Sequence, residues 1–246
     1  MNPYNDKQTT AEYLHFLKSE NGQIQQDVLF KSIEAKLESK SDLHILDAAC
    51  GSGWLTQRLS KKYPSIEGCD SAATLIEHAK EQYPNVKFTL ANLQDPLPYS
   101  PKSFDTIILN MAATDLSNLE MAYKNLETVL KPNGQLLVTI PNPMYSYPFG
   151  IWKRSILDRL LFRKPRLFLR PLPYNSQELL PSWNAKTPTS RIYSLEDHIN
   201  SVTKNHFALT NFVEIRSDTD SPKFNLRYQL YRYPLLLLLE FKKTAI

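Results

Sequence analysis

Short apolar runs alternate with amphipathic segments along roughly the first half of the chain. Apolar positions at helical spacing predict helices at 9–19, 24–37, 54–62, 72–82 and 117–130. Short runs that fit buried strands lie at 43–47, 66–69, 86–90, 104–109 and 135–140. Strands that alternate with helices in this way predict a parallel sheet with helices on both of its faces.

The second half begins with an irregular stretch and then returns to regular patterns. Eight of the 17 prolines lie between Pro141 and Pro188, which indicates an insertion. Ser194 followed by Asp197 is typical of a capping box, so we expect a helix there. Two extended segments follow, and turn-forming residues join them, which predicts an antiparallel hairpin over 207–215, 217–222 and 224–241.

Together these patterns predict an α/β fold. We expect a Rossmann-like, seven-stranded, mostly parallel sheet with an antiparallel C-terminal hairpin, helices on both faces and an inserted lid. The predicted parts are N-terminal cap helices over 1–40, a core over 41–142 and 193–246, and a basic, proline-rich lid over 143–192. A length of 246 residues agrees with one domain that carries an insertion.

Composition and charge argue against several classes of protein. A formal charge of +4 is too small to indicate a nucleic-acid-binding protein. The two cysteines, Cys50 and Cys69, have no zinc-type spacing, which predicts two reduced thiols and no metal site. The N-terminus lacks a signal-peptide pattern, and the longest apolar stretch, 234–239, is far shorter than the ~20 residues of a membrane span. We therefore expect a cytoplasmic protein.

Two of the six glycines lie in the most informative turn of the chain. Gly51 and Gly53 follow the first predicted strand and precede a helix, so a ligand can lie against backbone amides at the helix N-terminus. A dinucleotide-binding loop would place a glycine at position 56, where this chain has Thr56. Asp70 ends the second predicted strand, and its carboxylate can accept hydrogen bonds from both hydroxyls of a ribose. A tight turn without a ligand is the alternative interpretation of the glycine pair, and the presence of both Asp47 and Asp70 argues against it.

With these motifs the chain resembles the class I S-adenosylmethionine-dependent methyltransferases of the broad ubiquinone/menaquinone-biosynthesis type. The resemblance rests on motifs over about 43–142, which include the Leu-Pro-Tyr segment ending at Tyr99 and the Lys-Pro-Asn-Gly turn at 131–134. Over 192–242 it rests on topology alone. It implies S-adenosyl-L-methionine as the cofactor, bound by Asp47, Ala49, Gly51, Gly53, Asp70, Ser71, Asn92, Leu93, Asn110 and Tyr13.

Three of these positions depart from the family or leave a choice. Ala49 stands where glycine is commoner, so we expect a tighter approach to the methionine part of the cofactor. Asn92 replaces an acid, and its amide oxygen can still accept a hydrogen bond from adenine, although a plain loop residue is the alternative. In similar proteins an aromatic residue of an N-terminal helix covers the cofactor, and Tyr4 and Tyr13 are the candidates here.

Methyl transfer depends more on the alignment of donor and acceptor than on acid–base groups. A base is needed only where the acceptor must lose a proton. His198, on the helix after Ser194, is the weak candidate for that role, and an ordinary helix residue is the alternative. The acceptor is expected to be a small or medium-sized organic molecule, hydrophobic or anionic. Whether oxygen, nitrogen or carbon is methylated stays open.

Residues 151–170 concentrate positive charge. Seven cations and one acid give this stretch a charge of +6, so the rest of the chain carries −2. Large apolar residues interleave with the cations, which fits a solvated lid helix, a peripheral membrane surface, a site for an anionic substrate, or a grip on RNA phosphates. An RNA methyltransferase is therefore the alternative function. Nucleic acid is the less expected partner, because the remaining chain is acidic and has no appended RNA-binding module.

Overall fold

The computed structural model describes residues 3–38, 42–145, 150–169, 179–181, 189–191 and 193–244. Its α-helices are α1 (Lys7–Lys18), α2 (Glu20–Glu34), α3 (Trp54–Ser60), α4 (Ala73–Gln82), α5 (Leu119–Val129), α6 (Ile156–Leu160), α7 (Leu195–Thr203) and α8 (Leu226–Arg232). Its strands are β1 (Ile45–Ala48), β2 (Ile66–Asp70), β3 (Lys87–Leu90), β4 (Phe104–Asn110), β5 (Leu130–Pro141), β6 (Gly150–Lys153), β7 (Arg166–Leu169), β8 (Leu179–Pro181), β9 (Thr189–Arg191), β10 (Phe207–Ile215) and β11 (Leu236–Lys243).

Seven of these strands form one sheet, in the order β3-β2-β1-β4-β5-β11-β10. Strands β1 to β5 run parallel, and β11 is antiparallel to both β5 and β10. The remaining strands form two small antiparallel pairs, β6 with β7 and β8 with β9. The predicted fold class, a seven-stranded and mostly parallel sheet closed by an antiparallel C-terminal pair, is confirmed.

One predicted element is wrong. The sequence pattern predicts an extended segment over 224–241, but helix α8 occupies its first half and β11 begins only at Leu236. Asn225 starts the helix, because its side chain accepts a hydrogen bond from the amide of Tyr228 (3.1 Å). Pro234 follows the end of α8, where proline cannot extend a helix. The two C-terminal strands pair as predicted, but a helix connects them instead of a tight turn.

Apolar cores cover both faces of the sheet. On one face, side chains of α5 and α7 pack against β4, β5 and β11. On the other, α2 and α3 pack against β1, β4 and β11. The apolar run at 234–239 is therefore interior sheet, since Leu236 to Leu239 are all buried. Within the described ranges, no helix is both long and apolar enough to cross a membrane.

The N-terminal helices are attached to the rest of the chain at two points. The side chain of Asn5 accepts a hydrogen bond from the amide of Ala73 (2.9 Å), at the start of α4. Where α1 meets α2, Asn225 donates to Glu20 (2.9 Å) at the start of α2. The segment from 3 to 34 therefore bridges the β2 side and the β11 side of the sheet.

The predicted lid, 143–192, is described only in part. Strands β6 and β7 and the helix α6 between them form a small unit over 150–169. Trp152 of β6 attaches this unit to the core, with its ring 5.3 Å from Phe224 and 5.7 Å from Tyr233 between centroids. Arg170, the last cation of the predicted basic stretch, lies outside the described residues.

Candidate functional site

Most of the predicted cofactor residues gather at one edge of the sheet. Because β1, β2 and β4 are parallel, their carboxyl ends meet at the same edge. The strand order changes direction between β1 and β4, and in open α/β sheets this is where a ligand crevice forms. Asp47, Asp70 and Asn110 lie at or next to the ends of these three strands.

The loop from β1 to α3 adopts left-handed backbone at three positions. The φ angle is 58° at Ala49, 55° at Gly51 and 76° at Gly53. Glycine adopts this conformation freely, whereas a Cβ atom there costs roughly 1–2 kcal/mol. Ala49 therefore carries backbone strain at the position where glycine is commoner among similar proteins.

The two glycines of the loop serve different purposes. A Cβ added to Gly53 would stand 2.6 Å from the Phe88 ring, so this glycine permits close packing of α3 against β3. A Cβ added to Gly51 would stand 2.9 Å from the hydroxyl of Tyr13. The simple tight-turn interpretation is therefore sufficient for Gly53. Gly51 instead turns its bare face towards the N-terminal cap, where a ligand can approach the backbone.

Asp70 connects the end of β2 to this loop. Its Oδ2 accepts a hydrogen bond from the amide of Gly51 (2.9 Å), and its Oδ1 accepts one from the amide of Ala72 (2.8 Å). Burial raises the pKa of the carboxyl, and hydrogen bonds from the amides of Ala72, Gly51 and Ser71 oppose that rise. A carboxylate oxygen can accept more than one hydrogen bond, so both oxygens keep capacity for ribose hydroxyls.

Asp47 lies buried beneath the glycine loop and does not line its outer surface. It is 1% exposed, and its Oδ2 accepts a hydrogen bond from the hydroxyl of Thr56 (2.6 Å). The pKa of the carboxyl is raised to about 7, mainly by burial. The hydrogen bond from Thr56 lowers the pKa, and the charge of Asp70 raises it, but both effects are smaller than that of burial. Gly53 has no side chain with which to cap α3, and Asp47 bonds to the first turn in its place. Thr56, noted in the sequence only as a missing glycine, is thus the partner that fixes Asp47.

Asn92 is directed to its own loop. Its Nδ2 donates to Asp95 (2.9 Å), and its Oδ1 accepts from the amide of Gln94 (3.1 Å). Leu93 is buried in the core, and its carbonyl accepts from Asn125 (2.9 Å). The plain loop interpretation explains these bonds, and the contacts of Asn92 and Leu93 with adenine stay predictions.

Asn110 is fixed by the neighbouring strand. The hydroxyl of Thr139 donates to Oδ1 of Asn110 (2.7 Å) and accepts from the amide of Met111 (3.0 Å). Met111 itself is left-handed, with φ 56°. Thr139 therefore orients the end of β4, a role that the sequence does not indicate because the two strands are joined by a long helix.

Both candidate aromatic residues of the N-terminal cap lie at the site. Tyr13 lies over Gly51, and the ring of Tyr4 meets that of Tyr13 edge-on at 5.6 Å between centroids. Burial, followed by the charge of Asp70, raises the pKa of the Tyr13 phenol. The phenol therefore stays protonated at neutral pH and is able to donate a hydrogen bond.

His198 is a buried core residue on α7. It is 2% exposed, and its ring packs edge-on against Tyr193 at 5.7 Å. Burial lowers its pKa to about 4, so the imidazole is neutral at pH 7. In the described part of the chain, no hydrogen bond or ring contact joins His198 to the glycine loop. The structure thus fits the ordinary helix residue better than the catalytic candidate.

The two cysteines lie next to each other, Cys50 in the glycine loop and Cys69 near the end of β2. The amide of Cys50 donates to the carbonyl of Cys69 (2.9 Å), and both thiols are free and buried. Burial raises the pKa of each thiol, which keeps both protonated and unreactive. Among the residues that the structure describes, no group of His, Cys, Asp and Glu is arranged to hold a metal.

A mostly parallel sheet in this strand order with an antiparallel β11, a left-handed glycine loop after β1 and a buried acid at the end of β2 match the fold of the class I S-adenosylmethionine-dependent methyltransferases. The chain belongs to the family described as "Methyltransferase domain", whose sequence model matches residues 39–180. The resemblance inferred from the motifs is thereby confirmed.

Individual relatives agree with this assignment. The chain is 29% identical over 155 residues to a malonyl-[acyl-carrier protein] O-methyltransferase of Halalkalibacterium halodurans, covering 56% of each chain. It is 26% identical over 167 residues to a demethylmenaquinone methyltransferase of Chlorobaculum tepidum, covering 65% of this chain and 68% of that one. The chain thus spans about half the length of the first of these relatives. An S-adenosylmethionine-dependent methyltransferase structure from Mesorhizobium loti shares the fold, with a TM-score of 0.71, 20% identity and coverage of 87% of this chain and 97% of that one.

The residues present fit S-adenosylmethionine, the cofactor of this family. Gly51 lets the Tyr13 hydroxyl approach the loop closely, and both oxygens of Asp70 can bind a ribose diol. Asp47 places a titratable carboxyl below the same loop, and the cofactor is a cation at its sulfonium. Tyr13 lies on the Gly51 face and would pack against a ligand bound there.

Proposed function

We propose that this chain transfers a methyl group from S-adenosylmethionine to a small or medium-sized organic acceptor. The observation that carries the proposal is the hydrogen bond between Asp70 and the amide of Gly51, since it joins the acid at the end of β2 to the left-handed glycine loop after β1. When bound, the cofactor supplies an activated methyl group on its sulfonium. The chain's own contribution is to bind, orient and exclude water.

Each of these contributions falls to a described residue. Asp70 accepts the ribose hydroxyls, and Asp47 holds the loop in place from below. Asn110, oriented by Thr139, faces the methionine part from the end of β4. Tyr13 covers the loop and keeps water from the reacting atoms.

The nature of the acceptor is supported by the relatives. By their names, one methylates malonyl-[acyl-carrier protein] and another demethylmenaquinone, so the methyl acceptor of each is an organic group and not a nucleic acid. We extend that class of acceptor to this chain. The lid over 143–192 follows the carboxyl end of β5, at the same edge as the glycine loop, and we assign to it the choice of acceptor.

Titration calorimetry with S-adenosylmethionine tests the proposal. Asp70→Ala removes the ribose contact, and we expect the affinity to fall roughly 10- to 100-fold, since a hydrogen bond to a charged group contributes about 1.5–3 kcal/mol. Asp218→Ala, an exposed acid on a loop, is the matched control and should bind as the unaltered chain does. If the Asp70→Ala variant bound S-adenosylmethionine as tightly as the unaltered chain, the assignment of Asp70 to the site would be wrong. Tighter binding of NAD than of S-adenosylmethionine would contradict the proposed activity.

A further inference from the structure

The unit formed by β6, α6 and β7 holds large apolar side chains in solvent. Phe162 is 93% exposed and left-handed, with φ 51°, at the turn that follows α6. The others are between 50% and 78% exposed and comprise Ile156, Leu157, Leu160, Leu161, Phe168 and Leu169. Soluble monomers rarely leave so many large apolar residues exposed in one short segment, and such a patch indicates an interaction surface.

The same unit is strongly basic on its outside. Residues 150–169 contain six cations and one acid, a net charge of +5. Four of the cations are exposed and have no ion pair within the described chain: Lys153, Arg154, Arg159 and Arg163. The single acid, Asp158, is 6% exposed and does not neutralise the outer surface.

This arrangement is built by specific bonds and is not a loose loop. A capping box starts α6, in which the amide of Asp158 donates to the hydroxyl of Ser155 (3.0 Å) and the amide of Ser155 donates to the carboxylate of Asp158 (3.3 Å). The guanidinium of Arg166 also donates to Asp158 (3.1 Å). The amide of Arg163 donates to the carbonyl of Asp158 (2.8 Å) and fixes the turn that carries Phe162. The acid is thus used inside the unit, while most of the cations and the large apolar side chains stay exposed.

The inner side of the unit is seated on the core. Lys164 donates to the carbonyl of Ser221 (2.7 Å), and its ammonium lies 4.1 Å from the ring centroid of Tyr228. The ring of Trp152 packs against the same tyrosine at 6.1 Å between centroids. The unit is therefore attached to α8 and to the segment before it through Lys164 and Trp152, while the seven apolar side chains stay exposed.

We propose that residues 150–169 dock onto the surface of an anionic lipid bilayer. Exposed apolar side chains of this size enter the headgroup and acyl boundary, where they leave water, and the surrounding cations bind lipid phosphates. Five of the seven exposed apolar residues are aliphatic, whereas single-stranded nucleic acid is bound on aromatic platforms. The unit follows the carboxyl end of β5, at the edge of the sheet that carries the glycine loop. Docking therefore brings this edge close to the lipid, an implication for the acceptor that rests on the proposed function.

Co-sedimentation with vesicles tests the docking without cofactor or acceptor, so it is independent of the methyltransferase assignment. We expect the full chain to sediment with phosphatidylcholine vesicles that contain phosphatidylglycerol, to do so less as salt rises, and to remain in solution with phosphatidylcholine alone. Binding to both kinds of vesicle alike, or to neither at low salt, overturns the proposal.

Two sets of variants separate the charge from the apolar contribution. Replacing Lys153, Arg159 and Arg163 by Gln should weaken vesicle binding about fivefold for each cation. The same change at three exposed lysines elsewhere, Lys61, Lys80 and Lys124, is the matched control and should leave most of the binding in place. Equal losses in both triple variants would show attraction by net charge only and would overturn the docking surface.

A second pair of variants tests the contribution of the apolar side chains. Leu160→Ser with Phe162→Ser should lower binding about tenfold or more at every salt concentration, because each side chain loses its transfer from water. Leu209→Ser with Phe212→Ser, at half-exposed positions of β10, is the control and should not lower it. Circular dichroism checks that each variant is folded.

A probe placed at the tip reports insertion even if the serine variants prove unstable. In Phe162→Trp we expect the fluorescence to shift to shorter wavelength with anionic vesicles and to be quenched by brominated lipid. An unchanged spectrum on sedimented protein overturns the assignment of the tip. Salt-sensitive retention of total RNA on a filter, with no sedimentation by vesicles, would show that the surface binds RNA and would contradict the proposed docking to a bilayer.

Discussion

Single residues at the candidate site hold conformations that their side chains disfavour. Ala49 and Met111 are both left-handed, and they follow the ends of β1 and β4, the adjacent strands that flank the predicted crevice. Such strain persists only where surrounding bonds enforce it, and Thr139 provides those bonds for Met111. The chain therefore maintains a costly backbone at the place where the cofactor is expected.

The strain at Ala49 predicts a stabilising substitution. Ala49→Gly removes the crowded Cβ, which stabilises the folded state by about 1–2 kcal/mol. Glycine is also more flexible in the unfolded chain, which destabilises the folded state by about 0.5–1 kcal/mol. We expect a net rise of roughly 0.5–1 kcal/mol in the free energy of unfolding, measured by urea denaturation. Ala48→Gly, one residue earlier in extended β1, is the matched control and should destabilise. A loss of stability in both variants would show that Ala49 is not strained.

The buried carboxyl of Asp47 predicts how stability varies with pH. Its folded pKa of about 7 lies above the ordinary 3.8, so the folded state binds the proton more tightly than the unfolded state does. Its favourable contribution is thus complete below about pH 4 and is lost as the pH rises to about 7, by about 1.4 kcal/mol for each pH unit.

Asp47→Asn mimics the protonated acid and removes this dependence. The stability of the variant minus that of the unaltered chain should therefore grow between about pH 4 and pH 7 and then level off. Urea denaturation at a series of pH values measures the difference. A flat curve for Asp47→Asn would mean that burial does not raise the pKa of this carboxyl.

At the scale of elements, periodicity identified most of the sheet and its helices, because short apolar strands and amphipathic helices differ in spacing. The exception is α8, where tyrosines and leucines suit a strand equally well, and the signal that distinguishes them is the cap at Asn225. The glycine loop and Asp70 were also evident in the sequence. The pairs that orient the site, Thr56 with Asp47 and Thr139 with Asn110, were not, because they join residues whose proximity depends on tertiary structure.

The cap of α8 predicts a destabilising substitution with two separable parts. Asn225→Ala removes both the bond to the Tyr228 amide and the bond to Glu20 of α2. We expect a loss of about 1–2 kcal/mol in the free energy of unfolding. Asn118→Ala removes a comparable cap from α5, where the side chain accepts from the amide of Met121 (2.9 Å), and serves as the control. A loss no larger than that of Asn118→Ala would indicate that the bond to α2 contributes nothing.

For the whole molecule, binding at the site should appear as added stability. S-adenosylmethionine at 100 times its dissociation constant should raise the free energy of unfolding by ~2.7 kcal/mol, because it binds the folded state alone. At the same concentration, the Asp70→Ala variant should gain only ~0.4–1.4 kcal/mol, as its affinity is 10- to 100-fold weaker. Urea denaturation with and without the cofactor measures both gains, and NAD in its place should give neither. Equal gains in the free energy of unfolding for the two chains would show that Asp70 does not bind the ligand.

The position of β11 has a consequence for how the protein is made. This strand is the last described in the chain, yet it lies inside the sheet, between β5 and β10. Until Leu236 to Lys243 leave the ribosome, β5 presents an unpaired edge, which is a template for aggregation. Helix α2 packs into the same core as Leu236 and Leu238, so the N-terminal cap, although synthesised first, completes its packing only when β11 is available. An early helix and the last described strand of the chain thus complete this core together.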